Sequence, residues 1–211
     1  MTAEGFFVTG TDTGVGKTVL AALLVAALDA VYWKPIQTGL GEGSDRETVM
    51  RLASIPASQT RDEIYRFDPP VSPHLAARRA GGRIDLARIC RPRLPAGTPL
   101  VAEGAGGALV PINECEFMTD VMRRVGLPVL VAARSTLGTI NHTLLTLAAL
   151  DAARLPVAGV VLVGPENKDN REAIERYGRT PVVGAIPPLA EIRRETLIGL
   201  YRAGFDSGIF R

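Results

Sequence analysis

Gly10-Thr11-Asp12-Thr13-Gly14-Val15-Gly16-Lys17-Thr18 decides how this chain is read. A short apolar run, Phe6-Phe7-Val8, precedes it, and a long apolar helix former, Val19 to Ala30, follows. Strand, glycine-rich turn and helix in that order wrap backbone N–H groups around phosphate oxygens at a helix N-terminus. Nucleotide contacts are therefore expected from Thr13, Gly14, Val15, Gly16, Lys17, Thr18 and Val19. Lys17 supplies the mobile cation for the β- and γ-phosphates, and the Thr18 hydroxyl reaches a Mg²⁺. The strict spacing G-x-x-x-x-G-K-[ST] puts its first Gly at position 11, where this chain has Thr; Gly10 lies one residue early. The competing reading is a plain glycine turn, which requires G-K-T to fall between strand and helix by chance.

Outward from the loop, apolar β-branched runs alternate with helical patterns. Strands are predicted at 6–9, 31–34, 100–103, 129–133, 157–163 and 182–186, and helices at 17–30, 45–54, 118–125, 139–153, 167–177 and 191–201. Runs such as Val129-Leu130-Val131-Ala132-Ala133 suit strands covered on both faces, hence parallel and central. The expectation is one α/β domain over residues 1–211, a doubly wound, mostly parallel sheet with the phosphate loop after its first strand. The proline-bearing stretch from Ala57 to Thr98 reads as helix and loop.

Composition narrows the function class. The chain has 211 residues, 46% of them apolar, and a net charge of +2. That is too balanced for a nucleic-acid surface, which needs clustered Lys and Arg. The arginines at 78, 79, 83, 88, 91 and 93 read as a solvated helix and loop. Cys90 and Cys115 have neither metal-ligand spacing nor a disulfide framework, so reduced thiols in a cytoplasmic protein are expected. Met1-Thr2-Ala3-Glu4 carries no basic leader, and the apolar run from Val19 to Leu28 is too short for a bilayer, so no membrane association is expected.

Ligands of such sheets sit outside the carboxyl ends of the strands. One such end is Lys34-Pro35-Ile36-Gln37-Thr38-Gly39. A lysine closing a buried strand is costly unless it meets an anion, and beside a phosphate loop it would neutralise charge during phosphoryl transfer. The alternative is a lysine snorkelling to solvent. Asp45 follows, either as a helix N-cap or as a magnesium ligand, and its position leaves both open. A third end is Glu103-Gly104-Ala105-Gly106-Gly107, a carboxylate placed to reach Mg²⁺ with small residues behind it that let backbone approach a ligand. The fourth, from Ala133 to His142, opens a helix with Thr139 as cap and Asn141 in its first turn, where backbone N–H groups can bind a carboxylate. For His142 a satisfied core histidine is favoured; His74 is uninformative by spacing.

Taken together, these blocks resemble the dethiobiotin synthetases, from the phosphate loop through Lys34-Pro35 with Thr38-Gly39, Ser72-Pro73-His74, Glu103 to Gly107, Leu137-Gly138-Thr139-Ile140-Asn141-His142 and Gly184-Ala185-Ile186-Pro187. The one-residue stretch of the loop is that family's own pattern. The resemblance implies an ATP-dependent cyclo-ligase of biotin biosynthesis, acting on 7,8-diaminononanoate, CO₂ and a nucleoside triphosphate. One amine takes up CO₂ to give a carbamate, the carbamate oxygen attacks the γ-phosphate, and the second amine closes the ureido ring with loss of phosphate.

Mapped residue by residue, the resemblance implies that Lys17 and Lys34 stabilise the carbamate and phosphoryl charge. It gives Thr38 to the diamine, and Thr18, Asp45 and Glu103 to Mg²⁺. Gly104, Ala105, Gly106, Gly164, Pro187, Pro188 and Leu189 complete the nucleotide site. The diamine's carboxylate tail falls to Leu137, Gly138, Thr139 and Asn141 of a neighbouring subunit, which implies a homodimer. One departure stands out. The family's adenine-reading Asn-Asp is replaced by Val163-Gly164-Pro165, so nucleoside triphosphates other than ATP are expected to serve.

The alternative reading is a partitioning or assembly-type switch ATPase on the same scaffold. That class carries a Lys five residues before Lys17, where this chain has Asp12. A glutamine-dependent amidase synthase would need a further domain with a Cys nucleophile, for which 211 residues leave no room.

Overall fold

The computed structural model describes residues 4–41, 43–206, 208 and 209. Met1–Ala3, where a leader was looked for, lie outside the described residues, as does Arg211. β1 (Gly5–Gly10) runs down the middle of a seven-stranded sheet and is buried along its whole length. The other strands are β2 (Val31–Trp33), β4 (Thr60–Arg61), β6 (Leu100–Gly107), β7 (Val129–Arg134), β8 (Val157–Val163) and β9 (Val182–Ile186). They lie in the order β4-β2-β6-β1-β7-β8-β9, and every pairing is parallel. β3 (Ile36–Thr38) leaves this sheet and pairs in parallel with β5 (Tyr65–Phe67).

Alternate side chains of β1 feed two separate cores, which is why its apolar run shows no polar face. Phe6 and Val8 enter the core shared with α1 (Lys17–Leu28), α2 (Asp45–Ala53) and α7 (Arg194–Gly204). Phe7 enters the other, with Met118 and Val121 of α4 (Met118–Val125), Leu147 of α5 (Thr139–Ala152) and Ile174 of α6 (Lys168–Gly178). α1 is apolar nearly all round because α2 and α7 flank it on the sheet; such a helix is buried rather than amphipathic. Among the described residues no helix is long and apolar enough to cross a membrane.

The doubly wound parallel sheet matches the expectation, and so do the strands at 157–163 and 182–186. Three short strands within 36–67 were not anticipated. They have two or three residues each and no periodicity of their own. β6 also runs past its expected end at Glu103. A register shift between Val8 and Gly10 lets Gly10 pair with Gly107, and the side chains of 104–107 are too small to oppose it. α3 (Pro73–Arg79) then closes one side of the cleft above β3.

Candidate active site

Chain direction reverses around β1 and β6, since β1 leads away to β2 on one side and β6 leads to β7 on the other. The phosphate loop opens there, the switch point at which parallel sheets bind ligands. Gly16 caps α1 in the left-handed region, at φ 93°. A Cβ at that position would also lie 2.8 Å from Val163 Cγ1, so the turn requires glycine. Lys17 is buried, and its ammonium donates to the Asp12 carbonyl of its own loop at 2.8 Å. Burial pulls the Lys17 pKa below the ordinary lysine value against the pull of the Glu103 carboxylate.

Lys34 enters from the end of β2. Its Nζ lies 2.6 Å from Asp45 Oδ2 and 3.2 Å from Glu103 Oε1. The lysine and glutamate side chains of this triad are 6% and 0% exposed, which rules out the snorkelling alternative. Burial disfavours the Lys34 ammonium, but the Glu103 and Asp45 carboxylates outweigh it and hold its pKa above the usual value. For Asp45, burial raises the pKa, while Lys34, Thr18 and Gln37 together bring it below the ordinary range.

Asp45 does not cap α2. Ser44 does, in a reciprocal capping box with Glu47, and this leaves the Asp45 carboxylate free to face the cleft. Gln37 secures the same corner. Its Oε1 accepts from the Asp45 backbone N–H at 3.2 Å, and its Nε2 donates to the Thr38 carbonyl at 3.0 Å. Tyr32 donates to Glu103 Oε2 at 3.0 Å. The sequence reading missed both residues. A tyrosine in a run as apolar as Val31-Tyr32-Trp33 needs a partner for its buried hydroxyl, and that was the available signal for Tyr32.

The Thr18 hydroxyl lies 2.6 Å from Asp45 Oδ1 and 3.0 Å from Glu103 Oε1. It has one proton to give to two carboxylate oxygens. Three hard oxygen donors so placed fit a Mg²⁺ that keeps waters and substrate phosphates in its remaining positions. Among the described residues no group of three or more His, Cys, Asp or Glu side chains is arranged to hold a metal ion; the donors here are two carboxylates and one hydroxyl.

These groups share a cleft of about 550 Å³ with Thr13, Gly14, Gly16, Val19, Thr38, Ala105 and Gly106. Val15 and Gly104 are not on its wall. Val15 buries its side chain in the α1 core, and Gly104 sits against Phe7 and Met118 on the opposite face. Val19 also lines a smaller cavity of about 190 Å³ with Val163, Gly164, Pro187, Pro188 and Leu189, so the expected base wall adjoins the phosphate loop.

Leu137, Gly138, Thr139 and Asn141 lie elsewhere, at the start of α5. Gly138 in the left-handed region is the N-cap there, not Thr139. Thr139 is buried, with its hydroxyl against that of Thr143 and its N–H donated to the Thr136 carbonyl. His142 is exposed rather than in the core, beside Thr11, Asp12 and Thr13. Asp12 is held within its own chain, its Oδ2 2.8 Å from Arg134 Nη2.

A family model described as an AAA domain matches residues 4–196. An ATP-dependent dethiobiotin synthetase BioD from Rhodopseudomonas palustris (strain HaA2) is 45% identical over 96% of this chain and 94% of its own length. The chain belongs to the dethiobiotin synthetase family. Another synthetase of the same name, from Paramagnetospirillum magneticum, is 51% identical over 93% of this chain and 94% of its own. Among solved structures, a ParA family ATPase from Chlorobium tepidum TLS superposes with a TM-score of 0.54, covering 95% of this chain and 93% of that one. At 10% identity that likeness speaks for the shared fold.

Proposed function

We propose that this member of the dethiobiotin synthetase family uses ATP and CO₂ to close the ureido ring of dethiobiotin from 7,8-diaminononanoate. The observation that carries the reading is the convergence of Lys17, Lys34, Asp45 and Glu103 on one cleft. Two buried cations balance two carboxylates there, beside a phosphate loop.

In this reading the backbone N–H groups from Gly14 to Thr18 hold the triphosphate, and Lys17 leaves the Asp12 carbonyl for the β- and γ-phosphates. Thr38 orients the diamine. One amine adds to CO₂, loses a proton and becomes a carbamate. The carbamate oxygen then attacks the γ-phosphorus, and the bond to the β-bridging oxygen breaks to release ADP. Lys34 faces the negative charge that spreads over carbamate and phosphoryl oxygens, where fixed charge in a dehydrated site counts most. The second amine attacks the carbamic–phosphoric anhydride at carbon, and phosphate departs as the ring closes. Thr18, Asp45 and Glu103 would hold Mg²⁺, which when bound neutralises the charge of the polyphosphate.

A homodimer completes the reading. The start of α5 lies outside the cleft, so its N–H groups serve the diamine's carboxylate tail only across a subunit boundary. Leu137, Leu109 and Leu145 are 100%, 61% and 62% exposed, and the last two rim the groove beside Thr13. The pair Leu109 and Leu145, exposed beside one groove, suits a self-association surface.

The deciding experiment follows phosphate release from ATP with diamine and bicarbonate each present or withheld. Release that requires both supports a synthetase. Release indifferent to the diamine supports the switch-ATPase reading instead.

A further inference from the structure

Tyr32 lies in the core beneath α1 and α2 and has no exposed surface. Its hydroxyl is the polar end of a side chain otherwise surrounded by apolar groups, and it donates to Glu103 Oε2 across 71 positions of sequence. Glu103 thus divides its two oxygens. Oε2 turns inward to Tyr32, while Oε1 faces Thr18 at 3.0 Å and Lys34 at 3.2 Å. The terminal torsion of a glutamate is broad and roughly two-fold, so packing alone does not choose which oxygen points where, or at what angle.

We propose that Tyr32 is a positioning residue for the metal site: its hydroxyl fixes the plane of the Glu103 carboxylate so that Oε1 is presented to Thr18, Lys34 and the divalent cation. Outer hydrogen bonds of this kind orient metal-binding carboxylates in general. The Tyr32 hydroxyl is the donor that Oε2 receives, at 3.0 Å. Without it, Oε2 would be buried with no donor, and the carboxylate would turn towards Lys34, the cation within reach. The inference rests on the reading of Glu103 as a magnesium ligand.

The test is calorimetric and needs no turnover. ADP affinity is measured with Mg²⁺ and with a chelator, and the metal-dependent gain is compared between proteins. Tyr32→Phe should lose about tenfold of that gain while its affinity in chelator stays at the wild-type value. Tyr32→Met, which fills the space flexibly and has no donor, should behave alike and serves if the Phe variant does not fold. Trp33→Phe, equally buried and deprived of its bond to the Asp62 carbonyl, should keep the full gain. Glu103→Gln should lose at least as much as Tyr32→Phe. A full gain in Glu103→Gln would overturn the metal assignment itself. A loss there with a full gain in both Tyr32 variants would overturn the role of Tyr32 alone. An equal fall with and without metal would also overturn it, by showing general damage.

Discussion

Lys34 Nζ lies 3.2 Å from Glu103 Oε1 in a site where both side chains are almost wholly buried, although 69 positions separate them. β6 carries Glu103, Lys34 directly follows β2, and these two strands are neighbours in the sheet. The pair is therefore a consequence of strand order. Breaking a buried ion pair by deleting one partner leaves an uncompensated charge, a loss of about 3–5 kcal/mol.

That geometry separates the two lysines in their effects. Lys17→Ala and Lys34→Ala should each lower turnover at least about tenfold, since each removes a charge facing developing anion in a dehydrated site. Lys17→Ala should also weaken nucleotide binding, whereas Lys34→Ala should act mainly on kcat. Steady-state kinetics with thermal denaturation as a folding control decides this. Wild-type kcat in folded Lys34→Ala would remove that residue from the mechanism.

The Asp45 contact has a pH signature. Its folded-state pKa lies below the ordinary carboxylate value, about 3.9 when unfolded. Its contribution to stability is then complete above the unfolded value and is lost as pH falls through the folded one. The Tm of wild type should exceed that of Asp45→Asn at about pH 7, and the gap should narrow below about pH 4. A gap that stays constant down to about pH 3 would contradict this assignment.

Base selectivity should be loose. The cavity beyond Val19 is walled by Val163, Gly164 and prolines, with none of the side-chain amides that penalise a wrong base by being left unpaired. CTP, GTP and UTP should each support turnover within about tenfold of ATP, a gap of about 1.4 kcal/mol. Gly164→Asp should not restore adenine preference. The backbone there has φ 130°, and a Cβ would meet Ser135 Oγ at 2.4 Å. A hundredfold kcat/KM preference for ATP in the wild type would count against this account.

Much of this was legible before the structure. The phosphate loop declares itself through local spacing, Lys34 follows an apolar strand, Asp45 opens a helix, and Glu103 follows the apolar run Leu100-Val101-Ala102; a parallel sheet binds its ligands near the carboxyl ends of its strands. The illegible parts depend on distant partners. The two- and three-residue strands at 36–38, 60–61 and 65–67 exist only because their neighbours pair with them. Asp45 was ambiguous until Ser44 was seen to cap α2. Thr139 looked like a cap, but Gly138 takes the left-handed position and Thr139 turns inward. Tyr32 and Gln37 act through contacts 71 and 8 positions away, and no periodicity reports such contacts.

The proposed completion of the site across a dimer makes a complementation prediction. Asn141→Ala should weaken diamine binding and leave nucleotide binding unchanged. Mixing inactive Lys34→Ala with inactive Asn141→Asp protein should restore activity, because the heterodimer rebuilds one intact site. No recovery after verified subunit exchange would place the tail elsewhere.

The central claim is that the cleft joins nucleotide cleavage to ring closure, and the most direct test is the product itself. The protein is incubated with ATP, 7,8-diaminononanoate and isotopically labelled bicarbonate, and the products are analysed by mass spectrometry alongside phosphate release. The account predicts labelled dethiobiotin, with the label in the ureido carbonyl and one phosphate released per molecule formed. Phosphate released without dethiobiotin, or dethiobiotin without the label, would contradict it.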